Sequence, residues 1–271
     1  MSGSVILASV VLGLAAVVLG AGPSSIGGSD LQTRLDLEAV ARRAILFGHQ
    51  SVGMNILDGV QMLAAREGVA LQVVDVSAAP VAAPRTLAHI FVGENSSPTT
   101  KLDGFARALG AMPPDAPDIA LVKFCYVDFE PGTDSAALFA RYQATVADLR
   151  ARHPDTRFVH VTAPLSTVQA GPKAWVKRLL GRSPYGLVEN AKREDFNALL
   201  RKAYAGKEPV FDLALVESTL PDGTRSTVTL NGRTLPVLAS PYTDDGGHLN
   251  EEGRLRAARE LVAVLASAST R

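Results

Sequence analysis

The chain is poor in cysteine, tryptophan and net charge. Its 271 residues include one Cys, Cys125, and one Trp, Trp175. A single cysteine excludes an internal disulfide and any cysteine-rich metal centre. Lys plus Arg equals Asp plus Glu at 27 each, for a formal net charge of +0. With no basic excess there is no electrostatic footprint for nucleic acid. The histidines show no His-x-His or His-x-x-x-His spacing, so His49, His89, His160 and His248 give no local metal motif. No metal or organic cofactor is expected.

Long apolar runs are also scarce, with one exception. Residues 5–22 are uncharged and rich in Val, Leu, Ala and Gly. The expectation is a secretory signal peptide, with an uncleaved N-terminal anchor as the alternative. Either places the remainder outside the cytoplasm, periplasmic or extracellular. Membrane contact is expected only through that run. Residues 23–30 read as a flexible tether and 31–271 as a single domain. A hydrophobic fraction of 47% and a charged fraction of 20% suit one sizeable core.

Short apolar runs alternate with segments of helical period. Strands are predicted at the Ala44–Phe47 stretch, 71–76, 119–124, 157–161 and 209–213. Helices are predicted over 31–43, 54–66, 102–109, 135–152, 191–204 and 251–266, with Gly68 as a stop. Residues 77–100 read as a long loop, and 164–190 as an irregular insertion carrying Trp175. Asn231-Gly232 marks a hairpin within 227–238. Strands that are continuously apolar argue for a parallel sheet covered on both faces, hence an α/β fold. In such sheets chemistry gathers at the carboxyl ends of the strands.

Two of those ends carry a possible catalytic pair. In Asp245-Gly246-Gly247-His248 a tight loop lets the carboxylate reach one imidazole nitrogen while the other points outward. Asp244 is a rival for the orienting role. Asn250 then caps the closing helix. Ser51 follows the first strand directly, at the N-terminus of a helix whose N–H groups and dipole could stabilise an oxyanion. Its bland alternative is a plain N-cap.

On these residues the chain resembles the SGNH/GDSL hydrolase family from about residue 40 onward. His49-Gln50-Ser51-Val52-Gly53 stands in place of the Gly-Asp-Ser block, and Asp245-Gly246-Gly247-His248 matches the last block. Gly93-Glu94-Asn95 occupies the place of the glycine block. Cys125-Tyr126-Val127-Asp128 stands for Gly-x-Asn-Asp, so the oxyanion asparagine is missing. Loss of one such donor costs roughly 3–4 kcal/mol unless replaced. The resemblance implies a three-layer α/β/α sandwich with a mainly parallel five-stranded sheet, SGNH-hydrolase/flavodoxin-like, plus a small β-hairpin. It implies a Ser51–His248–Asp245 triad acting through an acyl-enzyme on short-chain esters, including O-acetyl groups of glycans. Gly93, Asn95, His49 and Asp128 are the expected oxyanion or substrate-binding residues. The alternatives are an O-acyltransferase with the same triad and a non-catalytic binding protein.

Other residues have plainer readings. His49 is expected first as a histidine packed at the strand end, with substrate contact as the alternative, and Cys125 as a buried small hydrophobe rather than a nucleophile. Lys123, inside a strand, needs a partner, for which Asp128 is the expected one. The basic stretch around Trp175 is expected to be an ordinary solvated helix, with a substrate flap or membrane contact as alternatives.

Overall fold

The computed structural model describes residues 26–78 and 83–268. In chain order the elements are α1 (Ile26–Val40), β1 (Ala44–His49), α2 (Val52–Glu67), β2 (Gln72–Asp75), β3 (Thr86–Phe91) and α3 (Pro98–Gly110). Next come β4 (Ile119–Val122), α4 (Ser135–Arg152), β5 (Arg157–Val161), α5 (Pro172–Leu179) and α6 (Leu187–Tyr204). The chain closes with β6 (Val210–Phe211), α7 (Leu213–Ser218), β7 (Thr227–Leu230), β8 (Arg233–Pro236) and α8 (Glu251–Ala268).

Six strands form one sheet in the order β2-β3-β1-β4-β5-β6, and every pairing is parallel. The expected five-stranded sheet is therefore corrected to six. The added strand, β3, lies in the stretch read as loop and sits between β1 and β2. Its run Thr-Leu-Ala-His-Ile-Phe is short and interrupted by His89, which conceals the apolar pattern, yet five of its six residues are buried. The helical part of the predicted tether is a second correction. α1 starts at Ile26, growing from a segment anchored by buried Leu37 and Val40. The apolar run 5–22 lies outside the described residues.

β1 shows how the three layers arise. Ile45 and Phe47 project into one core with residues of α1, α2 and α8, including Leu37, Ile56 and Leu261. Ala44 and Leu46 project to the other side, into a core with Phe105 of α3, Leu149 of α4 and Phe196 of α6. Alternating side chains of a strand buried on both faces must feed two cores. The predicted hairpin is β7–β8, antiparallel, with Asn231 and Gly232 both in the left-handed region at φ 50 and 78. That turn matches the twist of the two strands.

α2 and α8 cross closely at Gly59, where an added Cβ would lie 2.3 Å from the backbone oxygen of Arg254. Gly59→Ala would gain up to about 1 kcal/mol of helix propensity. A backbone oxygen cannot swing aside as a side chain can, so overpacking outweighs that gain. The variant is expected to be net destabilised by about 1–3 kcal/mol, read as a lower urea midpoint. A stabilised Gly59→Ala protein would contradict the close crossing.

Candidate active site

The sheet register builds one edge. His49 pairs with Phe91, and Gly48 pairs with Val122. Ser51 and Gly93 thus both lie two residues past paired ends, and Ser51 and Cys125 both lie three residues past theirs. Hydrogen bonds continue the ladder beyond the strands: Val92 N–H donates to His49 O at 3.1 Å, and Lys123 N–H to Gly48 O at 3.0 Å. Gln50, where the resemblance has an acid, donates from Nε2 to the carbonyls of Val92 at 3.2 Å and Gly93 at 3.0 Å. It fastens the exit of β1 to the Gly93 loop.

Ser51 occupies the N-cap position of α2, but its hydroxyl makes no capping bond. Its Oγ lies 3.8 Å from Cys125 Sγ. The bland cap reading predicts the opposite placement, since a capping serine turns its oxygen onto the helix N–H groups. One turn further along α2, Asn55 Oδ1 accepts the N–H of Leu249 at 3.1 Å. That bond brings the loop of His248 to the start of α2.

The His248 loop is organised around Asp245. Asp245 Oδ1 accepts the N–H groups of Gly247 at 2.9 Å and His248 at 2.8 Å, while Oδ2 lies 2.6 Å from His248 Nδ1. Because the carboxylate can only accept, Nδ1 carries the proton and Nε2 is left as the basic nitrogen. Slight burial would raise the Asp245 pKa. The Gly247 N–H, the imidazole and the His248 N–H outweigh it and hold the carboxyl at about 2. The carboxylate therefore stays ionised down to that range, and a loss of activity between pH 7 and 4 would not come from Asp245.

Tyr126 packs edge-on against the His248 ring, centroids 5.7 Å apart. A Cβ at Gly247 would meet the Tyr126 ring at 2.5 Å, so a larger residue there would have to push that ring off His248. Thr167 N–H donates to Gly246 O at 2.9 Å, tying the segment after β5 to the same loop. Asn250 Oδ1 accepts from Gly253 N at 3.2 Å and caps α8 as its position predicts. Ser51, Cys125, Tyr126 and His248 thus form one connected group at the carboxyl edge. Among the described residues, Ser51 and His248 are not joined by a direct hydrogen bond.

The remaining expected site residues fall into two sets. Gly93, at φ 59, lies against the first turn of α3, where a Cβ would meet Lys101 N at 2.4 Å. Asn95 is exposed, and its Oδ1 accepts from Lys101 Nζ at 3.2 Å. Both lie on the loop beside Ser51. His49 and Asp128, in contrast, are buried.

His49 lies under α2, filling the space a Cβ on Gly53 would need, with Nε2 3.2 Å from His89 Nδ1. Burial, then the charges of Lys123 and His89, press its pKa to about 3, so it is neutral. Asp128 accepts from Lys101 Nζ at 2.5 and 2.6 Å, from Cys125 N at 2.6 Å and from Ser96 N at 3.0 Å. Its carboxylate joins two site loops from beneath. The expected Lys123–Asp128 pairing is corrected: the ion pair is Lys101–Asp128, both side chains fully buried. Lys123 Nζ instead donates to Phe124 O at 2.9 Å and lies 3.9 Å from Cys125 Sγ.

Sequence reasoning missed Asn55, Tyr126, Lys101 and Glu217. Asn55 alone had a local signal, four residues after Ser51 and hence on the same helix face. Glu217, on α7, is buried beneath the segment after β5, its Oε2 accepting Leu165 N–H at 2.6 Å. Its Oε1 finds no partner among the described residues. Burial raises its pKa to about 8, against the pull of the Leu165 N–H, Lys123 and Arg193.

A raised carboxyl pKa means the folded chain holds a proton that the unfolded chain releases above about 4.5. The contribution of Glu217 to stability should therefore fall as pH rises from there towards about 8, at up to about 1.4 kcal/mol per pH unit, against the opposite contribution of buried, neutral His49 below about pH 6.5. Glu217→Gln is expected to remove that contribution alone, so that wild type loses urea midpoint relative to the variant as pH rises from 5 to 8. Parallel pH profiles would show that Glu217 is ionised in the fold.

The sequence matches no protein-family model and no curated protein. Solved structures with a related course of the chain include a platelet activating factor structure from Streptococcus pneumonia, at 16% identity. That likeness covers 88% of this chain and 92% of the other, with a TM-score of 0.47. A lipolytic protein of the G-D-S-L family from Desulfitobacterium hafniense shares 11% identity over 82% of this chain and 99% of its own, at TM-score 0.45. The periplasmic domain of a lipopolysaccharide acetyltransferase from Salmonella ser. Paratyphi A shares 13% over 85% and 87%, at 0.44. Likenesses at this depth assign no activity to the chain.

Proposed function

We propose that the chain is an exported serine esterase acting on short-chain acyl esters, such as O-acetyl groups on carbohydrate. One observation carries the reading. An Asp245-oriented imidazole and a serine hydroxyl left uncommitted by its helix are gathered at the carboxyl edge of a parallel sheet. Export is inferred from the apolar run 5–22 and places the esterase in the periplasm or outside the cell.

In the proposed cycle the Ser51 side chain turns from Cys125 towards Nε2 of His248. His248 takes the hydroxyl proton as Oγ attacks the acyl carbonyl, and Asp245 offsets the charge that forms on the ring. The Gly93 loop and the N-terminus of α2 are the candidate oxyanion donors, with Asn95 as the replacement for the missing asparagine. Its amide NH2 has no protein partner among the described residues. His248 then returns the proton to the leaving alkoxide, and water repeats the sequence to release the acid.

The test is labelling with a fluorophosphonate probe followed by mass spectrometry of the labelled peptide. Label on Ser51 that is lost in His248→Ala supports the reading. An unlabelled protein, or one still labelled as Ser51→Ala, overturns it. The second reading is a binding protein that keeps the architecture without turnover. It is favoured by the contact of Ser51 with Cys125 rather than with His248.

A further inference from the structure

α5 is turned inside out. Among its described side chains Ala174 is the one it buries, at 3% exposure, while Trp175, Val176 and Leu179 are 63%, 48% and 65% exposed. Leu180, just past the helix, is 67% exposed. At 100° per residue, positions 175, 176, 179 and 180 fall on one side of the helix and 174 on the other. A helix that only covers the domain would do the reverse, hiding its Trp and Leu. Contiguous exposed apolar side chains with an aromatic among them mark a contact surface.

Charge indicates what the surface meets. From Thr156 to Val188 there is no Asp or Glu, while Lys173, Lys177, Arg178 and Arg182 fall on or beside α5. Trp and Leu on one side of a short helix, in a stretch whose charges are all positive, is the composition of a segment lying in a bilayer interface. Anionic headgroups supply the complementary charge, at the depth where an indole is most stable. Among the described residues no helix is long and apolar enough to cross a membrane, so contact here is with a surface. We infer that α5 docks the protein onto an anionic phospholipid bilayer.

The face adjoins the candidate site. Gln169 N–H donates to Tyr185 O at 2.9 Å, and Thr167 N–H to Gly246 O at 2.9 Å. The strap that carries α5 is thereby pinned to the loop of His248. Docking would hold that edge of the sheet near the headgroup level. The inference does not depend on the esterase reading, because it concerns attachment and not turnover.

The test uses the full chain and its single tryptophan. Trp175 is the only indole, and the apolar run 5–22 contains none, so emission reports this face alone. Vesicles of equal parts phosphatidylcholine and phosphatidylglycerol are expected to shift the emission to the blue. Brominated phosphatidylcholine in the same vesicles should quench it. Binding read this way should be at least about tenfold tighter than to pure phosphatidylcholine vesicles. Leu179→Glu combined with Leu180→Glu, both at exposed positions, should abolish the shift with the fold intact by circular dichroism.

Three results would overturn the inference. The first is unchanged emission at saturating lipid, as when run 5–22 alone holds the chain. The second is a shift that survives the double substitution. The third is a blue shift that grows with protein concentration without vesicles, which assigns the face to a second copy of the chain.

Discussion

Ser51→Ala and His248→Ala are each expected to lower kcat/KM for p-nitrophenyl acetate by at least about 10³-fold, and the double variant by little more. Residues that act as one unit fail together, so near-equal single and double losses are the signature of a nucleophile and its base. Asp245→Ala should cost less than His248→Ala, because the imidazole persists and only its orientation and charge partner are lost. Cys125→Ala separates this scheme from a cysteine nucleophile. A thiol 3.8 Å from Ser51 Oγ is a weak contact, and its removal should change the rate less than about tenfold. Undiminished hydrolysis in both Ser51→Ala and His248→Ala would remove the site from consideration.

Lys101→Met should give the largest stability loss. The substitution leaves the Asp128 carboxylate buried with two backbone N–H donors and without its ion-pair partner. Breaking one partner of a buried pair costs about 3–5 kcal/mol, most of it from the charge left behind. The measurement is urea unfolding followed by circular dichroism. Adding Asp128→Asn to Lys101→Met should recover part of the loss, since no uncompensated charge then remains. If the single variant unfolds at the wild-type midpoint, the ion pair does not join the loops of Ser96 and Cys125 as described.

How much of this was legible in the letters depends on how far apart the partners lie. α4 and β5 occupy the residues their periodicity predicts, Ser135–Arg152 and Arg157–Val161. The Asp245–His248 contact could be read because both residues share one loop. Asn231-Gly232 and the Asn250 cap were readable for the same reason, since two to four consecutive residues contain the whole motif. β3 was not readable: alone it is a short run broken by a histidine, and only its position between β1 and β2 buries it.

By itself the sequence determined the α/β class, the place of the serine after the first strand, and the carboxylate–imidazole loop. Periodicity, glycine and capping residues act over a few positions, and their free energies are present in the local chain. Only the tertiary structure decided that Asp128 is neutralised by Lys101 rather than Lys123. It alone placed the Ser51 hydroxyl beside Cys125, bound Asn55 to the His248 loop, and turned Trp175 outward. The contacts of Asp128, Ser51 and Asn55 join residues far apart in sequence. They form because a parallel sheet aligns its strand ends, and burial then makes each polar group find whichever partner the register brings within reach.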